Sequence, residues 1–459
     1  MLSAVQVLCP WPLLRCCQLA IPCSGRLRSS APGKSRLLRL TFPAGLDGTS
    51  TSDGPAWFAG LCYQLTEGDT MLRRRHGRFF GLLLMGLLVV TGCGRKEQGD
   101  ASGGGGPIRI AAVAPMTGSQ GDVGKDLLNG IQLAADQLNA SGGVLGRRIE
   151  VVMTDDAADP KQAVAVAQKL LADASIVGIV GHMNSGTTKA ASGVYGPSGI
   201  PVVMPVPTNP EITEQGYTNL FRLPPTDFQQ GEAVADFAIN RAGKRRFAII
   251  HDKTDYGQPL AEVVRKRVLA AGATVVAFEG ISEGDKDFRA VLTKIRSLNP
   301  DALFFGGIYN EGALVARQAV ELGLHTQFLA ADGAFGEKFL ELGGPAANGA
   351  IMSFIAPPLN AGPGKAFADA FEAKFGAVKA FAPLGYDAMN VLAAAIAKAG
   401  TTARQDIVHA LHDSTFSYAG VTGRISFSSN GNNTNNQLSF YTVSAGKFEP
   451  VAVPSGAHR

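Results

Sequence analysis

Two half-size α/β lobes, each a mainly parallel sheet flanked by helices, make up the fold class this sequence predicts. Three observations predict it. Short apolar runs alternate with amphipathic stretches from Ile108 onward, as in consecutive βαβ units. The alternation is broken at Leu220-Phe221-Arg222-Leu223-Pro224-Pro225-Thr226 and again at Ile355-Ala356-Pro357-Pro358. After the second break the chain turns mostly helical, which reads as a late return to the first lobe, and paired crossovers of that kind act as a hinge.

Each element follows from its own pattern. Ile108 to Met116 reads as a strand, and the next helix sets Leu127, Ile131, Ala134 and Leu138 on one face before Ser141-Gly142-Gly143 stops it. Strands are then predicted over 149–154, 176–180 and 200–205, with helices over 161–172 and 187–195. The second set has strands over 246–251, 274–279, 302–306, 327–331 and 349–354, with helices such as 257–271 and 288–298. Helices over 364–375, 386–399 and 403–411 follow. The resulting division is lobe 1 over 108–225, lobe 2 over 226–354, a return to lobe 1 over 355–430, and a final crossing over 431–459 with a strand on lobe 2.

A chain of 459 residues exceeds one domain of ~150 residues, and 46% apolar residues with 56 Gly leave ample material for buried cores. The formal charge of +4 is unevenly spread: beyond Cys93 there are 32 cationic and 34 anionic side chains, a net of −2. That near-neutral body offers nucleic acid no basic face. All six cysteines, at 9, 16, 17, 23, 62 and 93, precede the body, so it can hold neither a disulfide nor a thiolate metal site.

Met71 opens an export signal: Arg73, Arg74, Arg75 and Arg78 are basic, Phe79 to Val90 is apolar and short for a membrane span, and Val90-Thr91-Gly92-Cys93 closes it. That ending resembles the lipobox of bacterial lipoproteins, which implies lipidation of Cys93, anchoring to a membrane, and a flexible Gly/Ser-rich tether over 94–107. Residues 1–70 would bury this signal inside the chain, so Met71 reads as the true start and the upstream segment as a mistaken or disordered extension.

The turn Gly181-His182-Met183-Asn184-Ser185-Gly186-Thr187-Thr188 empties a strand into a helix start. Ser185, Thr187 and Thr188 can cap that helix, and its first N–H groups, beside the positive end of the dipole, favour an anion. Pro205-Val206-Pro207-Thr208-Asn209-Pro210-Glu211 repeats the design after the next strand. Together the two turns predict a carboxylate site.

These residues also carry a resemblance. The stretches Ala114-Pro115-Met116-Thr117-Gly118, Asp155-Asp156-Ala157-Ala158-Asp159-Pro160-Lys161-Gln162-Ala163, Gly181-His182 and His251-Asp252-Lys253-Thr254-Asp255-Tyr256-Gly257 resemble the type I periplasmic solute-binding proteins, in particular the leucine/isoleucine/valine-binding proteins that feed ABC importers. Glu283-Gly284-Asp285-Lys286-Asp287-Phe288, Phe305-Gly306-Gly307 and Gly385-Tyr386-Asp387-Ala388 extend it over Ile108 to about Val453. The resemblance implies a two-lobed clamp joined by a multi-crossover hinge. It implies further that a free amino acid, most readily Leu, Ile or Val, passes to a permease and ATPase complex from the periplasm or cell surface.

Carried onto matching positions, the α-carboxylate meets Ser185, Thr208 and the backbone at Val206, with Thr187 on the same turn. The α-ammonium meets Asp332, Tyr256 adds a hydroxyl from across the cleft, and Phe381 walls the side-chain pocket. Val123 and Ile308 depart from the aromatic residues frequent at their positions, which alters that pocket alone.

Local structure offers plainer roles: Ser185 and Thr208 as helix caps, Asp332 as cap of a helix near Phe335, Tyr256 and Phe381 as packed aromatics. His182 and His251 lack a second ligand at metal spacing and read as packed strand-end residues. The body shows no Gly-x-Ser-x-Gly elbow, zinc motif, phosphate-binding Gly-x-x-x-x-Gly-Lys or cysteine, so neither an enzyme nor a cofactor is expected. Sugar-responsive repressors of this fold class carry a helix-turn-helix where this chain has its lipobox. A receptor or sensor of amides, urea or other small solutes is the alternative, since fold alone does not settle the ligand.

Overall fold

The computed structural model describes residues 105–435 and 437–451, so the export signal, Cys93 and residues 1–70 lie outside the described residues. The described residues form one compact unit. Strands β1 (Ile108–Ala114), β2 (Ile149–Asp155), β3 (Ile176–Gly181), β4 (Val202–Met204) and β5 (Leu220–Arg222) make a wholly parallel sheet in the order β2-β1-β3-β4-β5. Helices α1 (Gly121–Ala140), α2 (Pro160–Ala172) and α3 (Ser185–Ser198) make the long crossovers, and α4 (Glu211–Glu214) is a single turn.

α5 (Asp227–Asp236) leads into the second set, β6 (Arg246–His251), α6 (Gly257–Ala270), β7 (Thr274–Gly280), α7 (Arg289–Ser297), β8 (Ala302–Gly306), α8 (Tyr309–Glu321), β9 (Gln327–Ala330), α9 (Glu337–Gly343) and β10 (Ile351–Phe354). Then come α10 (Gly362–Phe375), α11 (Ala382–Ala399), α12 (Arg404–His412), the small hairpin β11 (Tyr418–Gly420) and β12 (Gly423–Ile425), and finally β13 (Ser439–Ser444) and β14 (Lys447–Val451). The second sheet runs β14-β13-β10-β9-β8-β6-β7, parallel from β6 to β10, with β13 and β14 antiparallel at one edge.

Parallel strands covered by helices on both faces must be apolar on both, which is why β1, β3, β6 and β8 read as nearly unbroken Ile/Val/Ala/Phe runs. Ile110, Ala112, Ile249 and Phe304 are fully buried. Asp159 starts α2 by accepting hydrogen bonds from the N–H of Lys161 and Gln162, with Pro160 preset at the first helical position. Although late in sequence, α11 packs along α1 and against β3 and β4. The apolar run of α11 therefore completes the core of the first lobe.

The sequence reading differs at several places, among them the unread hairpin β11–β12 and a final crossing that adds two strands, β13 and β14, where one was expected. Leu220 to Arg222, expected as part of a break, is β5, paired in parallel with Val202–Met204. Three residues are too few to show a period, and only pairing with β4 reveals the strand. The helix expected over 187–195 extends from Ser185 to Ser198 and stops at Gly199 in the left-handed conformation. Helices α5 and α8 went unread because α5 starts immediately after the break and α8 opens with the polar Tyr309-Asn310-Glu311.

Candidate functional site

The C-terminal ends of the strands of the two sheets face a common cavity of about 780 Å³. From the first lobe come Val123, Ser185, Thr187, Val206, Thr208 and, through α11, Phe381; from the second come Tyr256, Ile308 and Asp332. The structure thus brings together all nine residues singled out in the sequence. Three contacts cross the cleft: Tyr309 Oη donates to Ser119 O at 2.9 Å, Asn209 Nδ2 to Asp255 O at 2.5 Å, and Lys189 Nζ pairs with Asp255 Oδ1 at 2.9 Å. The cavity is therefore held in a closed arrangement.

The first turn is fixed from behind. Gly181 has φ 138°, and a Cβ there would lie 2.3 Å from Val113 O, so a side chain is excluded. His182, fully buried, bonds Asp156 Oδ2 through Nδ1 at 2.7 Å and Tyr195 Oη through Nε2 at 3.2 Å. The capping expectation is corrected here. Asn184 is the N-cap and makes no side-chain cap bond, while Thr187 and Thr188 donate their hydroxyls backward to Asn184 O at 3.0 and 2.7 Å. The first intrahelical bond of the turn runs from Thr188 N to Asn184 O, so the N–H groups of Ser185, Gly186 and Thr187 precede the helical ladder. Ser185 Oγ accepts from Asn209 N at 3.4 Å and so joins the two turns.

The second turn does not open a long helix, since α4 has four residues and no useful dipole. Its shape comes from Arg222, whose fully buried guanidinium donates to Pro207 O at 2.8 Å, Asn209 O at 2.7 Å and Asn432 Oδ1 at 2.9 Å. Burial lowers the Arg222 pKa to about 10, which leaves it a cation at neutral pH. Thr208 Oγ1 is buried beside the Asp227 carboxyl but makes no hydrogen bond of good geometry to it. Such an atom costs free energy unless something else satisfies it.

Opposite lies Asp332, 2% exposed, at the end of β9. It caps no helix. Tyr256 Oη donates to Asp332 Oδ1 at 3.0 Å and accepts from Gly333 N at 3.0 Å, so the tyrosine is locked against the carboxylate. Burial, outweighing these hydrogen bonds, pushes the Asp332 carboxyl up to about 6. Asp227, the first residue of α5, is fully buried with neither carboxylate oxygen in a hydrogen bond of good geometry, and burial, joined by the charge of Asp332, outweighs the adjacent Thr208 hydroxyl and the Arg222 charge and pushes its carboxyl up to about 7. The sequence reading missed Asp227, Arg222 and Gln230, the last fully buried on α5 beside Asp332. The spacing of Thr226 and Gln229, whose Oε1 accepts from Thr226 N at 2.8 Å, is the capping-box signal that could have located α5 and with it Asp227.

Phe381 is positioned by Asp126 of α1, whose carboxylate accepts from the N–H of Phe381 at 3.0 Å and of Ala382 at 2.9 Å. His251 packs on Phe278 at a centroid separation of 5.0 Å, so neither histidine enters the cavity. The site can accordingly present hydroxyls and free N–H groups at one pole, buried carboxylates at another, and an apolar wall of Val123, Met183, Ile308 and Phe381.

The chain is similar to known binding proteins over most of its described length. The sequence profile of the family described as periplasmic binding protein matches residues 107–447. The Leu/Ile/Val-binding protein BraC3 of Rhizobium johnstonii is 35% identical over 341 residues, 74% of this chain and 93% of that protein. A leucine-, isoleucine-, valine-, threonine- and alanine-binding protein of Pseudomonas aeruginosa is 36% identical over 339 residues, 73% of this chain and 89% of the relative. Among solved structures, the leucine-binding protein LivK of Thermotoga maritima aligns with a TM-score of 0.71 and 31% identity, covering 75% of this chain and 98% of that one. The branched-chain amino acid transporter substrate-binding protein LivJ of Streptococcus pneumoniae, in complex with isoleucine, aligns with a TM-score of 0.70 and 29% identity, covering 75% and 99%.

Proposed function

The chain belongs to the periplasmic binding protein family, and from that premise we propose that it captures a free amino acid, most readily Leu, Ile or Val, and delivers it unchanged to an ABC permease. The observation that carries the reading is the single cavity in which free N–H groups and hydroxyls on one lobe stand opposite buried carboxyls.

A zwitterion taken out of water needs both poles met at once. The α-carboxylate is held by Ser185 Oγ, the N–H groups at the start of α3 including that of Thr187, and the orphan hydroxyl of Thr208. The α-ammonium is held by Asp332, with Asp227 behind it, while the backbone at Val206 stands with the carboxylate pole. Tyr256, held by Asp332, reaches over the ligand from the second lobe. Val123, Ile308 and Phe381 enclose the side chain. Because the two poles draw on different lobes, the ligand itself stabilises closure, and its better contacts with the closed state shift the population. Micromolar capture corresponds to about −8 kcal/mol.

The lobes divide at 225 and 354, and the crossings near 226, 355 and 431 form the hinge. Cys93 carries the lipid that keeps the protein at a membrane, and a permease with its ATPase receives the ligand. Calorimetry of the purified chain against the twenty amino acids, urea, an amide and a sugar tests the reading. Binding of a proteinogenic amino acid is expected. Binding of urea, the amide or the sugar in its absence would refute the clamp.

A further inference from the structure

The cavity is also lined by polar groups that the zwitterion clamp does not use. Asp252, at the end of β6, lines the cavity and is 2% exposed. Its Oδ1 accepts from Thr254 N at 2.9 Å and Thr254 Oγ1 at 2.7 Å, but its Oδ2 is buried without a partner. Glu283 lines the same cavity, and behind it Glu311, 4% exposed, accepts from Gly284 N at 2.9 Å through one oxygen and leaves Oε2 unpartnered. A buried carboxylate oxygen without a partner is costly, and its cost is relieved by a cation or a donor. Lys253 lines the same cavity and Lys286 lies near Glu311, so these two cations leave the three carboxylates Asp252, Glu283 and Glu311 with one net negative charge.

The sheet sets the spacing. Asp252 follows β6 and Asp332 follows β9, with only β8 between them in the order β9-β8-β6. Two strand intervals of ~4.8 Å place these chain ends about 10 Å apart. An extended run of six bonds of ~1.5 Å spans roughly 7 Å, and a charge-assisted hydrogen bond adds ~2.8 Å at each end. A diamine of lysine length therefore reaches from one carboxylate to the other.

We propose that the part of the cavity formed by Asp252 and Glu283 is a subsite for a positively charged side-chain terminus, so that the protein takes amino acids bearing an ω-ammonium or guanidinium group in addition to aliphatic ones. The inference rests on the clamp reading above. Burial first, then the Thr254 bonds and the charges of Glu283 and Glu311, leave the Asp252 carboxyl at about 6, a state that a bound cation stabilises in its ionised form.

Calorimetry of the full chain with leucine, lysine, arginine and norleucine tests it at pH 7.5, norleucine having the length of lysine without its charge. Lysine should bind at least about tenfold more tightly than norleucine. Asp252→Asn should weaken lysine about tenfold and leucine less than threefold, and Glu283→Gln, at an exposed position where folding is not at stake, should shift lysine in the same direction. Norleucine binding as well as lysine, or variants that leave the lysine preference intact, would overturn the subsite. Leucine bound and lysine refused overturns the inference alone, whereas refusal of every amino acid overturns the clamp and the subsite together.

Discussion

Replacing Asp332 by Asn should weaken the ligand and strengthen the empty protein, a pair of opposite effects that a merely structural aspartate would not produce. The variant keeps an acceptor for Tyr256 Oη, now 3.0 Å from Asp332 Oδ1, and removes only the charge. Burial is the leading cause of the raised carboxyl, and a rise from 3.8 to about 6 corresponds to about 3 kcal/mol at ~1.36 kcal/mol per unit. The folded pKa lies above the unfolded one, so the folded state binds more protons between about pH 4 and pH 6. Stability therefore falls as pH rises through that window and stays low above it. Without ligand, Asp332→Asn should be more stable than the parent at pH 8 by up to about 3 kcal/mol, and the gain should vanish near pH 4. Binding of leucine should meanwhile weaken roughly 10- to 150-fold, the loss of one charge-assisted hydrogen bond of ~1.5–3 kcal/mol. Binding of 4-methylpentanoate, which lacks the ammonium, should hardly change. Thermal unfolding at the two pH values and calorimetry with the two ligands read these quantities. Equal losses for leucine and its des-amino analogue would refute the ammonium role, and an unchanged Tm at pH 8 would refute the burial argument.

Affinity for leucine should rise from pH 5 to pH 8, because Asp332, at about 6, must ionise to hold the ammonium, and the charge of Asp227 behind it, at about 7, adds to the field on the ligand. The loss at pH 5 is about tenfold for Asp332 alone. Protons released on binding would appear as a calorimetric enthalpy that varies with the buffer, and a flat profile would count against both carboxylates. Arg222→Met should destabilise the protein by about 3–5 kcal/mol, since it strands Asp227 without its buried cation and leaves Pro207 O and Asn209 O unpaired. Urea unfolding measures this, and a loss below about 1 kcal/mol would show that Arg222 does not shape the Thr208 turn.

Much of the architecture was legible because it depends on short-range pattern. Strands buried on both faces must be runs of Ile, Val, Ala and Phe, and the helices between them must carry one apolar stripe, so β6 and β8 could be placed to the residue. Of the candidate site, only the two turns that carry Ser185, Thr187 and Thr208 were legible in the pattern, as small hydroxyl residues at the ends of apolar strands; Val206, Tyr256, Asp332, Phe381, Val123 and Ile308 came from the family resemblance. The nine residues read from the sequence do line one cavity.

What the sequence determined by itself was thus the alternation of elements, the two breaks, and the small polar turns at the strand ends, all of which follow from the chemistry of a few consecutive residues. Which buried polar group meets which was decided only in three dimensions. Arg222 finds Asn432 across 210 positions, and Asp126 finds Phe381 across 255. The strand β5 exists only because β4 lies beside it. Asp227 and Asp252 read locally as unremarkable acids. Burial in the folded chain, which removes water and leaves carboxylate oxygens without partners, is what makes them candidates for holding a cation.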